Sequence, residues 1–346
     1  MLARDMRSSL LVLVLVSCAA LAGCKERKPS VPAAPATPAE PLPTIPLAQN
    51  GAPAVPLAPA AMELAVSPDG RMLAVVELEQ DPKDPGPLWR AYLRPATHPT
   101  PRVELRIPDD SVRALVFSPD GKELAVASNA NDITIFDTTS GTQTHHLVQS
   151  TYVLAWGAAG LLVNETLFDP TTQKPSRELG LPPAQGTKWA SQNAAYLLRA
   201  DAKPSYEQPM KGGGHEWIVP PSKVEVVDVA TGNRREIPNA TSGDARVAND
   251  GTVVVPGFRV IAPNGQSRDV KGIPGSGNEW TLSPDGKHVA VIDGSYSVYL
   301  VDLATGKQSS LDKPSGRVSA LVFAPNGREL YGCSSEGVVL RWVLTS

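Results

Sequence analysis

Three hundred and forty-six residues, 42% hydrophobic, 19% charged and 5% aromatic, suffice for two average domains or for one large all-β domain with extensions. Lys and Arg number 32 against 35 Asp and Glu, a net charge of -3, so no basic footprint points to nucleic acid or to an acidic membrane surface. Gly 28 and Pro 34 break the chain too often for a helical bundle.

Residues 1–23 set the expected compartment. Arg4 and Arg7 lie in a short basic start, Leu10 to Val16 is a continuous apolar run, and Ser17 to Gly23 is rich in small residues, the layout of a secretory signal. The apolar run is too short to cross a bilayer stably. Leu21-Ala22-Gly23-Cys24 resembles the lipobox of bacterial lipoproteins. That resemblance implies cleavage before Cys24, lipidation of its sulfur and acylation of the new amine. The alternative is an ordinary signal cut after a small residue, with Cys24 incidental. Lys25, where some lipoproteins carry Asp, resembles the outer-membrane sorting pattern, which implies a bacterial envelope location on the periplasmic side of the outer membrane. Several acyl chains, at ~0.8 kcal/mol per buried methylene, exceed what lasting attachment requires. Removing residues 1–23 takes away Arg4, Arg7 and Asp5 and leaves 30 basic against 34 acidic side chains. Cys18 departs with the signal and Cys24 carries lipid, so Cys333 stands without a disulfide partner in an oxidising compartment. It reads as a buried strand residue, with no His near it in sequence to make it a catalytic thiol.

Residues 24–60 read as a tether. Ten prolines fall between 29 and 60, and Pro29, Pro32, Pro35, Pro38 and Pro41 recur every third residue, matching the three residues per turn of polyproline II. At ~3.1 Å per residue, twenty such residues hold a domain roughly 60 Å from the membrane. Docking of a proline-binding module is the alternative reading.

Residues 61–346 repeat. Ala65-Val66-Ser67-Pro68-Asp69-Gly70, Val116-Phe117-Ser118-Pro119-Asp120-Gly121, Thr281-Leu282-Ser283-Pro284-Asp285-Gly286 and Val322-Phe323-Ala324-Pro325-Asn326-Gly327 each sit between two apolar runs. Pro presets φ and Gly accepts positive φ, so each marks an antiparallel hairpin. Weaker copies run from Trp156 to Gly160, Trp189 to Asn193 and Val247 to Gly251. Positions 70, 121, 160, 193, 251, 286 and 327 lie on average about 43 residues apart, the period of a four-stranded propeller blade, which predicts seven blades. A second motif keeps the same period: Asp137-Thr138-Thr139-Ser140-Gly141, Asp228-Val229-Ala230-Thr231-Gly232 and Asp302-Leu303-Ala304-Thr305-Gly306, with a degenerate copy at Phe168-Asp169-Pro170. Each follows an apolar strand and predicts a turn from third to fourth strand.

With these motifs the chain resembles the WD-repeat family and its bacterial propeller relatives over residues 61–346. The resemblance implies an all-β fold, a seven-bladed β-propeller of four-stranded antiparallel blades, preceded by the signal peptide and the Pro-rich tether. The departures are clear. No Gly-His pair opens a repeat, and Trp-Asp is replaced by Phe136-Asp137, Val227-Asp228 and Val301-Asp302, so apolar packing between blades has to replace the family's hydrogen-bonded tetrad. The last unit offers three strands, and a fourth drawn from around Thr44 to Leu47 or Val55 to Leu57 is expected to close the ring.

Up-and-down blades place the long loops together on one face. Asp81 to Leu88, followed by Trp89, and Ala200 to Ser222, containing Tyr206, His215 and Trp217, are expected there, where binding usually resides. Alignment to the family puts Met62, Arg113, Tyr152, Gln185, Gly243, Asn278 and Ser319 around the channel mouth, a mixed polar and aromatic set. The candidate partner-binding face is therefore Arg113, Tyr152, Trp89, Tyr206 and Trp217, with packing of Tyr206 and Trp217 inside their own loop as the competing reading. Trp156, Trp189 and Trp280 are expected in the blade core. His145 and His146, adjacent in a strand, point to opposite faces and make no joint metal site. No zincin helix, phosphate loop or nucleophile elbow occurs. No catalytic residue, metal or cofactor is thus assigned. The expected function is that of a monomeric, membrane-anchored envelope lipoprotein whose propeller binds other envelope proteins. The alternatives are a hydrolase or quinoprotein-like propeller enzyme using the channel, and a surface-displayed module for carbohydrate or host proteins.

Overall fold

The computed structural model describes residues 63–344 apart from 82–83, 98–101, 108–110, 181–187, 202–205, 210–214, 219–222, 239, 241–244, 274–278, 312–316 and 335–338. Every described residue belongs to one compact unit. The signal, Cys24, the tether and the segments expected to close the ring lie outside the described residues.

Every described element is a strand, and the strands form seven antiparallel blades in chain order, over residues 63–105, 112–148, 154–178, 188–237, 246–269, 280–310 and 318–343. Six blades have four strands, and the seventh has three among the described residues. The second blade shows the plan: Val112–Phe117, Glu123–Ser128, Asp132–Asp137 and Gln143–Val148 run from the channel outward. Its second strand is covered by blades on both sides and is apolar almost throughout. Fourth strands face water, so Lys174–Glu178, Ser267–Asp269 and Gln308–Ser310 are exposed along their whole length.

The core is seven separate clusters, one at each blade boundary. Ala65, Ala74 and Leu93 of the first blade meet Phe117, Leu124 and Phe136 of the second. Equivalent clusters follow around the ring. The last joins Leu64, Val66, Leu73 and Val75 to Ala324, Tyr331, Cys333 and Val339, and the innermost strand Glu63–Val66 packs on Val318–Phe323, so the ring is closed. Cys333 is buried and free, its thiol pushed up to about 12 by burial. At the same boundary Glu329 Oε1 accepts from both Nε and Nη2 of Arg341, and its Oε2 accepts a 3.1 Å hydrogen bond from the Tyr331 hydroxyl, all three side chains being deeply buried.

The hairpin motifs work by local chemistry. Ser67 Oγ donates to Asp69 Oδ1 at 2.7 Å and accepts from Met72 N, while Asp69 Oδ1 accepts from Arg71 N. Ser118, Ser191 and Ser283 repeat the pattern. In the fourth blade the positive φ falls on Ala194, one residue beyond the expected Asn193. The third-to-fourth-strand turns close on Asp137, Asp169, Asp228 and Asp302, whose carboxylates accept backbone N–H bonds from the turn.

Two expected loops are strands. The segment after Asp81 continues a long hairpin in which Met72–Asp81 pairs with Asp84–Pro95. The fourth strand of that blade pairs only with Ala91, Tyr92 and Leu93, so Pro85 and Pro87 stand on an overhang with one open edge, where a missing N–H breaks no ladder bond. The stretch between Ala200 and Ser222 contains a two-stranded hairpin, Tyr206–Pro209 with His215–Ile218. Both hairpins rise between second and third strands, opposite the Asp-Gly turns.

Candidate functional site

The innermost strands surround a channel with a cavity at each end. The end carrying the Asp-Gly turns holds about 610 Å³, lined by Val66, Pro68, Phe117, Trp156, Ala159 and other residues without charge. The opposite end, which the hairpins overlook, holds about 670 Å³, and its lining includes Glu63, Arg113, Tyr152, Trp189, Gln192 and Arg246. Gln192 borders both cavities, and its Nε2 donates to Phe323 O of the seventh blade at 3.1 Å. The first blade has Pro68 at the equivalent turn position, so only a turn lacking that proline sends a side chain across the ring. Losing the proline also frees Asn249 N in the fifth blade to donate to Pro284 O, while Asn193 N donates to Asn249 Oδ1. The weaker motif copies thus tie the fourth, fifth and sixth blades together.

The mouth is built by specific local devices. Val112 pairs with Ser128 and Ala114 with Ala127, which leaves Arg113 as the extra residue of a β-bulge, a geometry that re-aims a side chain. Its Nε donates to Asn129 Oδ1 at 3.0 Å and its Nη1 to Thr151 O at 2.8 Å. Asn164, at φ 57°, holds the next segment. Its Oδ1 accepts from Tyr152 N and Val153 N, and its Nδ2 donates to Ser150 O. Tyr152 is thereby presented with 67% of its surface exposed. Across the ring the Arg246 guanidinium lies 3.5 Å from the Trp189 ring centroid and 5.2 Å from that of Trp280, bridging three blades. Trp189 Nε1 is buried and donates to no described residue.

Glu63 begins the first innermost strand. Burial alone raises its carboxyl from the ordinary 4.5 to about 7, and among the described residues it forms no hydrogen bond or ion pair. Further out on this face, Arg317 pairs with Glu279 at 3.8 Å and sits 4.8 Å over Tyr296.

Of the residues that the sequence points to, Arg113 and Tyr152 meet at the mouth. Trp89 is in a paired strand opposite Leu78, half-buried and packed on the cluster between the first two blades, so its reading as a residue presented by a loop is corrected. Tyr206 and Trp217 lie opposite Ile218 and Glu207 in the inserted hairpin, away from the channel strands in sequence. Met62, Gln185, Gly243 and Asn278 fall outside the described residues, as does Cys24. Ser319 occupies a bulge like that of Arg113. Trp156 and Trp280 are buried in the core. Glu63, Gln192 and Arg246 do not stand out in the sequence. A charged or amide residue next to the hairpin motif was the available signal. Among the described residues no group of three His, Cys, Asp or Glu side chains is placed to hold a metal.

Seven blades and their repeated turns define a seven-bladed β-propeller. Residues 102–159 match the family model described as the anaphase-promoting complex subunit 4 WD40 domain. That stretch spans the outer strand of the first blade, all of the second and the innermost strand of the third. The β-propeller domain of Myceliophteria thermophila Cps50 (Swd1) superposes with TM-score 0.56 and 14% identity, over 83% of this chain and 98% of that one. A chain of the Mitotic Checkpoint Complex gives TM-score 0.56 and 13% identity, over 88% and 99%. No curated protein matches the chain. The chain is thus similar to solved β-propellers in fold over more than four fifths of its length and to a WD40 family model in sequence over about one repeat.

Proposed function

We propose that this protein is an envelope lipoprotein, held to a bacterial membrane through Cys24, whose propeller binds other envelope proteins by the face around Arg113 and Tyr152. One observation carries the reading. The mouth collects aromatic and guanidinium groups from several blades, with Tyr152 67% exposed, while the described lining of the opposite cavity carries no charge. Aromatic residues and Arg are the side chains that most often anchor protein interfaces. The lipobox-like Leu21-Ala22-Gly23-Cys24 supports the anchor, and Lys25 supports the outer membrane as its site.

Two measurements test this. A photo-crosslinker at Tyr152, followed by mass spectrometry from intact membranes, is expected to capture a defined envelope protein. Capture of nothing beyond the background seen with the same probe at exposed Lys174 on an outer strand refutes the scaffold. Labelled palmitate is expected to enter the wild-type chain and not Cys24→Ser, and equal labelling refutes the anchor.

A further inference from the structure

We propose that the cavity at the turn-bearing end of the channel is a second binding site, for a small uncharged molecule with an apolar body and one carboxamide. It opens at the end opposite the mouth and stands independently of the scaffold reading. Two half-used amides carry the inference. Gln192 Nε2 donates to Phe323 O, and Asn249 Oδ1 accepts from Asn193 N. Each bond fixes which end of its amide is which, because a carbonyl oxygen takes only a donor and a backbone N–H only an acceptor. Gln192 Oε1 is left as an acceptor and Asn249 Nδ2 as a donor, and neither is bonded to a described residue. Both residues are half-buried and both line this cavity.

The remaining wall suits an apolar body. Pro68, Pro119 and Pro325 come from the proline turns and Phe117 and Trp156 from innermost strands, and among the described lining residues no side chain is charged. The third and fourth blades are responsible for much of this neutrality. Ala158-Ala159 and Gln192-Asn193 stand where the stronger motif copies carry Pro-Asp or Pro-Asn, so these two neighbouring turns bring no carboxylate to the rim. At about 610 Å³ the cavity falls within the ~300–1,000 Å³ of ordinary ligand sites, which combine an apolar lining with a few convergent polar groups.

The ligand class follows from what these groups lack. A carboxamide presents a donor and an acceptor in one plane, the complement of Gln192 Oε1 and Asn249 Nδ2. It can therefore replace the water at both amides without leaving either unpaired. An ion of the same shape loses its hydration with no counter-charge in the described lining. The long hairpins rise at the other end of the channel, and the rim here is made of short turns, so the cavity selects a molecule that it can contain.

The test uses the full chain and three probes of similar shape, followed by line broadening in fluorine NMR: para-fluorophenylacetamide, para-fluorophenylacetate and para-fluorophenethylamine. The carboxamide is expected to bind saturably and at least fivefold more tightly than either ion. Asn249→Asp keeps an acceptor for Asn193 N and exchanges the free donor for oxygen. It is expected to weaken carboxamide binding at least fivefold with an unchanged thermal midpoint. Ala159 is exposed and lines this cavity and not the mouth, so Ala159→Trp is expected to abolish binding by filling the entrance. Equal binding of the three probes, undiminished carboxamide binding by either variant, or no saturable binding up to the solubility of the carboxamide overturns the proposal. Capture of a protein by the Tyr152 probe is a separate readout, so the scaffold reading stands or falls without this site.

Discussion

Replacing Glu63 by Gln isolates the energetic cost of an unpaired carboxylate at the channel mouth. Its carboxyl rises from 4.5 to about 7 through burial alone, and each tenfold gain in proton affinity corresponds to about 1.4 kcal/mol. A raised folded-state value means that the proton is held more tightly in the folded chain. The native state is therefore favoured below the unfolded value near 4.5, and that advantage is lost as pH rises through 7. The full effect is about 3 kcal/mol, reduced somewhat by the solvent reaching the half-buried group. Glu63→Gln has no charge to bury. Its stability relative to the parent is expected to increase by about 2–3 kcal/mol between pH 5 and pH 8, or roughly 2 °C of thermal midpoint per kcal/mol. Urea titrations of both proteins at the two pH values measure the difference directly. The same stability gap at pH 5 and pH 8 refutes the idea that an unpaired buried carboxylate sits there.

Arg341→Ala leaves the buried carboxylate of Glu329 without its ion pair at the boundary of the last and first blades, and a loss of about 3–5 kcal/mol is expected by urea denaturation. A loss below ~1 kcal/mol means that water reaches the carboxylate. Gly157→Ala places a Cβ against Asn193 O of the next blade and is expected to lower stability by about 1–3 kcal/mol. An unchanged midpoint contradicts the close approach. Hydrogen bonds from Ser118, Ser140 and Thr305 hold Asp120, Asp137 and Asp302 below the usual carboxylate range, a stabilisation present above pH ~4 and lost as pH falls further. Combining Ser118→Ala, Ser140→Ala and Thr305→Ala is expected to flatten the fall in thermal midpoint between pH 5 and pH 3. A parent-like acid profile removes the assigned role. The outermost described strand, Val339–Val343, belongs to the one blade with three described strands, so deleting residues 40–60 is expected to lower the midpoint by several degrees. No change excludes that segment as the closing strand.

The blades were legible because their turns are self-contained. Ser67, Asp69 and Gly70 satisfy one another within six residues, and such short-range chemistry leaves its mark in contiguous sequence. The hairpin after Asp81 was hidden because prolines ordinarily exclude strands, and whether an overhang tolerates them depends on how far the neighbouring strand extends. The mouth was legible only in part. Arg113 and Tyr152 emerge from family alignment, but Glu63, Gln192 and Arg246 acquire meaning through groups far away in sequence: Gln192 through Phe323, 131 positions on, and Arg246 through indoles of two other blades. A repeat pattern aligns equivalent positions and carries no information about which of them converge.

The amide that Gln192 extends to Phe323 is a crossbar between the fourth and seventh blades, at a residue that borders both cavities. A chain segment entering beside Arg113 meets this crossbar on its way to the turn-bearing side, so loop apices and free chain ends suit this entrance better than the middle of an extended strand.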